Sequence, residues 1–372
     1  MEHSHSAILA YIRDRNSHLR APLVPGLTLN FEYLRGIGAK QNFLHDWSAG
    51  RKLGSSPAIH REFRNHPSLN QNSTWADAEW NRLELLGKVS FFPRGEPRPT
   101  RLNASPCALL LKPREGADPE DDIQNRFKAR LILDLRRGMV NPRMPDVGVN
   151  YGTVDRAVSM LRQNDWIFVV DMQDCFFFNW RVHPDDCWQL GFYSGSRQQY
   201  GKYNFLPFGL KVAPGVNDES MKEILRLLHQ ECKISLVDFV DDLFEAGHSL
   251  EQSWDRLWAV VRFLSDCGLP VSAKPTGIRT PSQVQTWIGW VFDTVRCVVT
   301  ITKAKCRKCQ QACEQVLNAD SHRLLRAHAL AATAGLVSHV AEIYPQARRR
   351  LHPLWSDLNA AGVYAAWAHG FS

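Results

Sequence analysis

ISLVDFVDDLFEAG, residues 234–247, places two adjacent carboxylates, Asp241 and Asp242, inside an otherwise apolar run. No glycine or proline interrupts the run before Gly247, and the apolar residues on each side of the carboxylates predict two short strands joined by a tight turn. Paired carboxylates at the tip of a buried hairpin repel each other, and their burial is unfavourable unless a cation joins them. Hard oxygen ligands suit magnesium, which commonly binds together with substrate phosphates. The alternative at this point is an ordinary Asp-Asp turn that faces water.

Composition and charge indicate a folded protein that binds a polyanion. The chain has 372 residues, of which 44% are hydrophobic and 22% charged, and this length predicts two or three lobes. The formal net charge is +7. Residues 301–350 hold nine Lys and Arg against three Asp and Glu, and residues 1–70 hold nine against five. Basic residues concentrated near both ends, around a nearly neutral middle, favour a polyanion held by the lobes, with a generally basic surface as the alternative.

The sequence shows no targeting signal. Its uncharged apolar runs are far shorter than a membrane span, and residues 1–16 lack the apolar core of a secretory signal. Nine scattered cysteines, an odd number, indicate free thiols in a reducing compartment. We therefore expect an intracellular protein, in the cytoplasm or the nucleus, that has no membrane partner.

The segments around the carboxylate hairpin predict a split βαβ arrangement. WIFVVDM, residues 166–172, predicts a buried strand that ends near Asp171. The later elements are expected in the order helix over 216–232, hairpin, helix over 250–267 and strand over 268–274. This order would place Asp171 and Asp241, 70 residues apart in sequence, on neighbouring central strands, so that their carboxylates meet over one pair of metal ions.

A second predicted hairpin carries basic residues. Strands are expected over 106–112 and 128–135, on either side of an acidic loop. Lys112, Lys128 and Arg130 would grip a triphosphate there, because arginine offers paired donors to phosphate oxygens. The alternative is a set of exposed charges at strand ends.

Helical spacing predicts several amphipathic helices. One is expected over 75–87, and three more over 303–317, over 321–340 and from about 345. The apolar face of the first should consist of Trp75, Ala78, Leu83, Leu85 and Leu86. Cys306, Cys309 and Cys313 follow the helical spacing of three and four, and only a distant histidine such as His322 would complete a zinc site. A helical stripe is therefore favoured over zinc.

Taken in this order, the chain from about residue 75 to residue 358 resembles a reverse transcriptase. The motifs that carry the resemblance are RLILDLR (130–136), VVDMQDCF (169–176), LPFGLKVAP (206–214), FVDD (239–242), GLPVSAKP (268–275) and WIGWVF (287–292). The predicted helical segment near the end of the chain, which includes AGLVSHVAEIYPQARRRLHPL (334–354), is similar to the segment that follows the palm in DIRS-type retroelements. The resemblance implies an α+β right-hand polymerase with fingers, a ferredoxin-like palm and a helical thumb. The implied divisions are a helical extension at 1–70, fingers with part of the palm at 71–165, palm at 166–300 and thumb or connection at 301–372.

The resemblance also implies roles for individual residues. Two Mg²⁺ ions, with Mn²⁺ as a possible substitute, would be held by Asp171, the Met172 carbonyl, Asp241 and Asp242. Lys274 would protonate the leaving pyrophosphate. The residues implied to bind the deoxynucleoside triphosphate are Lys112, Arg130, Asp174, Phe176, Phe208 and Gly209. Those implied to contact the primer are Phe239, Val240, Trp287 and Gly289.

Phe176 occupies the sugar-sensing position of the family. A flat ring beneath C2′ would leave no room for a hydroxyl, which predicts selection of deoxynucleotides. The alternative is that Phe176 belongs to the core beside Phe177 and Phe178. Phe239 replaces the tyrosine that is common in the carboxylate motif, so the ring is kept and the hydroxyl is lost.

The sequence thus predicts template-directed DNA synthesis from a primer, with RNA or DNA as template. The alternatives are a retroelement-derived nucleic-acid-binding protein that does not polymerise and an RNA-dependent RNA polymerase. Intact carboxylates argue against the first alternative, and Phe176 argues against the second. The sequence shows no ribonuclease H, integrase or recombinase region, so we expect a separate ribonuclease H or recombinase partner. The sequence leaves the oligomeric state open.

Overall fold

The computed structural model of the chain forms two compact units. It describes residues 2–19, 28–54, 60–113, 126–173, 180–318 and 327–360. The first unit comprises Met1–Tyr151, Val169–Leu243 and Trp254–Arg279, and the second comprises Gly152–Phe168, Phe244–Ser253 and Thr280–Ser372. The division into extension, fingers, palm and thumb stays a prediction, because compactness alone does not separate those functional regions.

Most predicted helices are present in the described residues. The helices of the described residues are α1 (His5–Leu19), α2 (Phe31–Gly36), α3 (Gln41–Ala49), α4 (Pro67–Gln71), α5 (Ser73–Leu85), α6 (Val154–Met160), α7 (Ala213–Cys232), α8 (Leu250–Asp266), α9 (Lys303–Leu317), α10 (Ala327–Val340) and α11 (Pro345–Ala360), with 3-10 turns at Asn141–Arg143 and Cys187–Leu190. Helices α7, α8 and α9 confirm the helices predicted at these places. Residues 319–326, which the prediction included in part, lie outside the described ranges.

Within the described ranges, the strands form four small sheets. They are β1 (Val89–Phe91), β2 (Cys107–Pro113), β3 (Phe127–Leu133), β4 (Trp166–Asp171), β5 (Gly191–Ser194), β6 (Gln199–Tyr203), β7 (Val237–Phe239), β8 (Asp242–Gly247), β9 (Ile278–Ser282), β10 (Val284–Trp287), β11 (Trp290–Asp293) and β12 (Val298–Ile301). The sheet orders are β1-β6-β5, β2-β3, β7-β8-β4-β9 and β10-β11-β12. The β7–β8 hairpin therefore neighbours β4, as the split βαβ order predicted.

Helix α5 corrects the predicted apolar face of its segment. It buries Ala76, Trp80 and Leu83, whereas Leu85 is 86% exposed and Ala78 is also exposed. Trp80 stacks on Phe192 with ring centroids 4.0 Å apart. The large indole at the centre of the helix therefore sets which face is buried, and the prediction was right for Leu83 but wrong for Ala78 and Leu85.

The returning strand lies later in the chain than predicted. Within 268–274, Val271 makes a single β-bridge, to Met172, and the strand that completes the sheet is β9. Pro270 limits pairing within 268–274, because proline has no N–H to donate to a ladder.

The basic hairpin is present as predicted. Strands β2 and β3 are antiparallel, with a register that runs from Cys107 opposite Leu133 to Pro113 opposite Phe127. Cys107, Leu109, Leu131 and Leu133 are buried, so one face of the hairpin is attached to the unit while the other is exposed. The acidic loop, residues 114–125, lies outside the described ranges.

The second unit has its own aromatic core. The ring of Phe244 lies 5.0 Å from that of Trp287 and 5.1 Å from that of Phe292. Cys306, Cys309 and Cys313 lie partly buried along α9, as the helical stripe predicted. Among the described residues, no helix combines the length and apolar character needed to cross a membrane.

Candidate active site

Asp171 ends β4 and is held by backbone hydrogen bonds on both sides. Its N–H donates to the Gly277 carbonyl at 2.8 Å, and its carbonyl accepts from the Ser272 N–H at 2.8 Å. The next amide, that of Met172, donates to the Asp241 carbonyl at 2.8 Å. This last bond joins the two predicted carboxylate segments, so the structure brings Asp171 and Asp241 together as the sequence predicted.

The turn before Asp241 is strained. Val240 has φ +59°, a left-handed conformation that is rare for a β-branched residue. The side-chain N–H of Asn217 on α7 donates to the Val240 carbonyl at 3.3 Å. This contact supports the turn from a helix. Sequence reasoning missed Asn217, because nothing local marks it as a partner of the turn.

The carboxylates repel each other in a poorly solvated place. Burial raises the pKa of Asp241, the charge of Asp171 raises it further, and Lys274 and Arg130 oppose the rise. Burial also raises the pKa of Asp242 to about 6, against the opposing charge of Arg279. The excess negative charge is thus concentrated at the tip of the β7–β8 hairpin and the end of β4.

Arg279 distinguishes the two adjacent aspartates. Its guanidinium lies 3.8 Å from the Asp242 carboxylate, a contact between residues 37 positions apart that no local pattern predicts. Asp242 therefore already has a cationic neighbour, whereas the first opposing charges at Asp241 come from Lys274 and Arg130.

The donor chemistry at this place fits a divalent cation. Across the described ranges, no group of three or more His, Cys, Asp or Glu side chains is arranged to hold a metal ion. Magnesium, however, is usually bound by one or two carboxylates together with water and substrate phosphates. The Asp171–Asp241 pair, with its mutual repulsion, supplies that kind of donor set.

The predicted nucleotide-binding residues are only partly within the described residues. Arg130 and Lys112 are exposed on the β2–β3 hairpin, and Arg130 is near enough to Asp241 to lower the pKa of that carboxyl. Asp174 and Phe176 lie outside the described residues. The sugar-sensing role of Phe176 therefore stays a prediction.

The loop with Phe208 and Gly209 is fixed by an asparagine that sequence reasoning missed. The Asn141 side chain donates to the Gly209 carbonyl at 2.8 Å and accepts from the Lys211 N–H at 2.9 Å. Gly209 has φ +94°, which disfavours other residues. Phe208 is 38% exposed.

Phe239 forms an aromatic pair beside the carboxylates. Its side chain is 37% exposed, and its ring lies 5.4 Å from that of Tyr151. The Tyr151 hydroxyl donates to the Pro214 carbonyl at 3.2 Å. Tyr151, also missed in the sequence, thus holds the exposed ring near the start of α7.

The two remaining primer-contact candidates lie in the second unit. Trp287 is 0% exposed, so it would affect a primer only by shaping the β10–β11 turn. Gly289 lies in that turn with φ +88°, and a Cβ there would meet the Lys305 Nζ at 2.9 Å. Lys305 on α9 therefore covers the glycine.

A family model and two viral polyproteins match parts of the chain. Residues 129–292 match the family model described as Reverse transcriptase (RNA-dependent DNA polymerase). The Gag-Pro-Pol polyprotein of Mouse mammary tumor virus (strain BR6) is 29% identical over 154 residues, 40% of this chain and 8% of the polyprotein. The Enzymatic polyprotein of Cestrum yellow leaf curling virus is 27% identical over 122 residues, 32% of this chain and 18% of the polyprotein. The chain therefore corresponds to a small part of these relatives.

Solved structures resemble the chain over almost its whole length. A foamy viral protease-reverse transcriptase dRH in complex with double-stranded DNA superimposes with a TM-score of 0.57 at 15% identity, covering 94% of this chain and 60% of that one. A foamy viral protease-reverse transcriptase in complex with an RNA/DNA hybrid gives 0.55 at 15%, covering 94% and 46%. This likeness confirms the predicted α+β right-hand polymerase fold.

Proposed function

We propose that this chain, whose residues 129–292 match the reverse transcriptase family model, extends a primer with deoxynucleoside triphosphates as a template directs. The observation that carries the proposal is the Met172–Asp241 hydrogen bond of 2.8 Å, which sets the carboxylate of β4 beside that of the β7–β8 turn. Two carboxylates so placed within this domain match the chemistry of nucleotidyl transfer.

Polymerases work with paired divalent cations, and we propose magnesium here with manganese as a substitute. The residues that would hold them are Asp171, the Met172 carbonyl, Asp241 and, in support, Asp242. When bound, the cations would lower the pKa of the primer 3′-hydroxyl and neutralise charge on the triphosphate. The raised pKa of Asp241, caused by burial and by Asp171, supports this assignment because a bound cation would relieve the repulsion.

The chain's own cations would bind the triphosphate. Arg130 would donate paired hydrogen bonds to phosphate oxygens, and Lys112 on the facing strand would add charge. Lys274, exposed and close enough to lower the pKa of Asp241, would protonate the pyrophosphate. Phe208 and Gly209 would border the nucleotide, and Asp174 and Phe176 remain proposed members of this site.

The primer and template would lie against the exposed aromatic side of the hairpin. Phe239 and Val240 would contact the primer end, and the turn at Gly289, shaped by Trp287, would contact its backbone. The foamy viral proteins were solved with double-stranded DNA and with an RNA/DNA hybrid, and we propose that this chain binds such duplexes, with RNA as the preferred template. A separate ribonuclease H or recombinase partner, an intracellular location and a DIRS-type origin stay predictions.

Primer extension tests the proposal directly. The protein should extend oligo(dT) on poly(rA) with dTTP and magnesium. The Asp241→Asn variant should bind the duplex normally but extend no primer. Salt-sensitive duplex binding without incorporation, on RNA and DNA templates and with manganese also tried, would support the binding-only alternative. Incorporation of ribonucleotides in place of deoxynucleotides would support the RNA polymerase alternative.

A further inference from the structure

Buried asparagine contacts join the N-terminal helices to the segments that carry Asp171 and Asp241. We propose that α1 and α3 act through Asn16 and Asn217 as a scaffold that positions the two carboxylates, an inference that rests on the function proposed above. Both asparagines would be positioning residues, because they hold backbone next to the carboxylates and do not contact the reacting groups.

Helix α1 reaches the Asp171 segment through Asn16, which is 5% exposed. Its side-chain N–H donates to the Val271 carbonyl at 2.8 Å. Val271 forms a β-bridge with Met172, and the N–H of the adjacent Ser272 donates to the Asp171 carbonyl at 2.8 Å. Since a buried donor is costly to leave without an acceptor, Asn16 holds this backbone in one position beside the carboxylate.

Helix α3 contributes two rings to an aromatic cluster in the same unit. The Trp47 ring lies 4.6 Å from the ring of Trp180, and Phe43 meets Trp180 edge-on at 6.4 Å. Trp47 is 1% exposed and Trp180 is 0% exposed. Close packing on both sides therefore sets the direction in which the Trp180 indole N–H points.

Asn217 connects this cluster to the strained turn. The Trp180 Nε1 donates to the Asn217 Oδ1 at 2.7 Å, and the Asn217 Nδ2 donates to the Val240 carbonyl at 3.3 Å. Asn217 is 1% exposed. Because one planar amide supplies both the acceptor and the donor, the bond from Trp180 orients the bond to Val240. The turn that precedes Asp241 is thus held from α3 through two side chains.

Ion pairs fix α3 and its flanks to α7, the helix that carries Asn217. Arg51 lies 2.6 Å from Asp46 and 2.7 Å from Glu219. The Lys40 N–H donates to Glu223 at 2.9 Å, and its Nζ lies 3.4 Å from the same carboxylate. These basic groups are engaged with carboxylates of the protein, which favours a scaffold over a nucleic-acid-binding arm for this part of the chain.

The experiment compares full-length variants with a matched control. Asn217→Ala and Asn16→Ala remove the two contacts, and Trp180→Phe keeps an aromatic ring at this position while removing the indole N–H together with the five-membered ring. Asn103→Ala is the control, because Asn103 is also 1% exposed and donates to the Gly138 carbonyl at 3.0 Å, away from the carboxylates. Three quantities are measured: the melting temperature, kcat and KM for single-nucleotide incorporation, and amide hydrogen exchange of the ligand-free protein.

We expect Asn217→Ala and Trp180→Phe to lower kcat about tenfold, the order of one lost buried hydrogen bond, with KM for nucleotide and for duplex changed by less than about threefold. The Met172 amide should exchange about tenfold faster in each of these variants and in Asn16→Ala. Asn103→Ala should lower the melting temperature to a similar degree and leave kcat and Met172 exchange unchanged.

Two results would overturn the inference. One is a loss of melting temperature in Asn217→Ala equal to that of the control, with kcat and Met172 exchange unchanged. The other is a rise in KM for duplex at constant kcat, which would assign the region to nucleic-acid binding. If the wild-type protein incorporates no nucleotide, the proposed function fails, and exchange alone then decides: faster Met172 exchange in the variants supports the scaffold, and unchanged exchange rejects it.

Discussion

Replacing Asp242 by asparagine should stabilise the cation-free protein at neutral and alkaline pH. Burial, partly opposed by Arg279, raises the pKa of Asp242 from 3.8 to about 6. When the pKa of a carboxyl is higher in the folded state than in the unfolded state, ionisation of that carboxyl destabilises the fold. The free energy of unfolding therefore falls as pH rises from about 4 through about 6. A shift of about two pKa units corresponds to roughly 3 kcal/mol at pH 8, and the side chain is only 23% exposed.

The assay is thermal and urea unfolding between pH 4 and pH 8 in the presence of EDTA. Asp242→Asn should exceed the wild-type free energy of unfolding by roughly 3 kcal/mol at pH 8, and the difference should shrink to roughly 0.5 kcal/mol at pH 4. Arg279→Gln is the opposite perturbation. In the wild type, the Arg279 charge lies 3.8 Å from Asp242 and lowers the pKa of that carboxyl, and the substitution removes this charge. That variant should be less stable than wild type at pH 8 and nearly unchanged at pH 4.

A single outcome would refute this reasoning. If Asp242→Asn were less stable than wild type at pH 8, the pair with Arg279 would outweigh the desolvation of the carboxylate, and the buried charge would not be a source of strain. Magnesium added at pH 8 should raise the wild-type melting temperature more than that of Asp242→Asn, because the variant carries less repulsion for a cation to relieve.

Further predictions concern the loop, the cores and acid stability. Asn141→Ala should lower kcat/KM for nucleotide about fivefold to tenfold, since it removes both hydrogen bonds to the loop; unchanged steady-state kinetics would contradict this. Gly209→Ala should reduce the free energy of unfolding by about 1–2 kcal/mol because of its φ of +94°, measured in urea. Phe244→Ala, at a side chain that is 0% exposed, should cost about 3–5 kcal/mol on the same measurement. Burial raises the pKa of Glu223, but hydrogen bonds from Arg226 and from the Lys40 backbone amide lower it by more. The net result is a pKa below the ordinary value of 4.5. Its stabilisation is therefore present above that pH and lost as pH falls below it, and Glu223→Gln should flatten the melting temperature between pH 3 and pH 7.

Local sequence patterns were sufficient to predict most of the helices and strands around the site. The apolar run over 234–247 and the strand before Asp171 have the periods of strands, and α7, α8 and α9 have the period of helices, so neighbours in sequence were sufficient to predict them. Local patterns failed at α5, where the bulk of Trp80 selected the buried face, and after α8, where Pro270 limits pairing within 268–274. At α5 the deciding factor was packing against a distant ring, that of Phe192, whereas after α8 the proline is itself local.

By itself, the sequence determined the order of the elements, the carboxylate pair and the resemblance to a reverse transcriptase, because each depends on residue types at short spacing. Only the tertiary structure decided that Arg279 faces Asp242, that Asn141 fixes the Gly209 loop and that Asn16 and Asn217 hold the carboxylate segments. Asn16 and Val271, for example, are 255 positions apart. A hydrogen bond across that distance leaves no periodic trace in the sequence, since the only requirement is that two polar groups meet when the chain has folded.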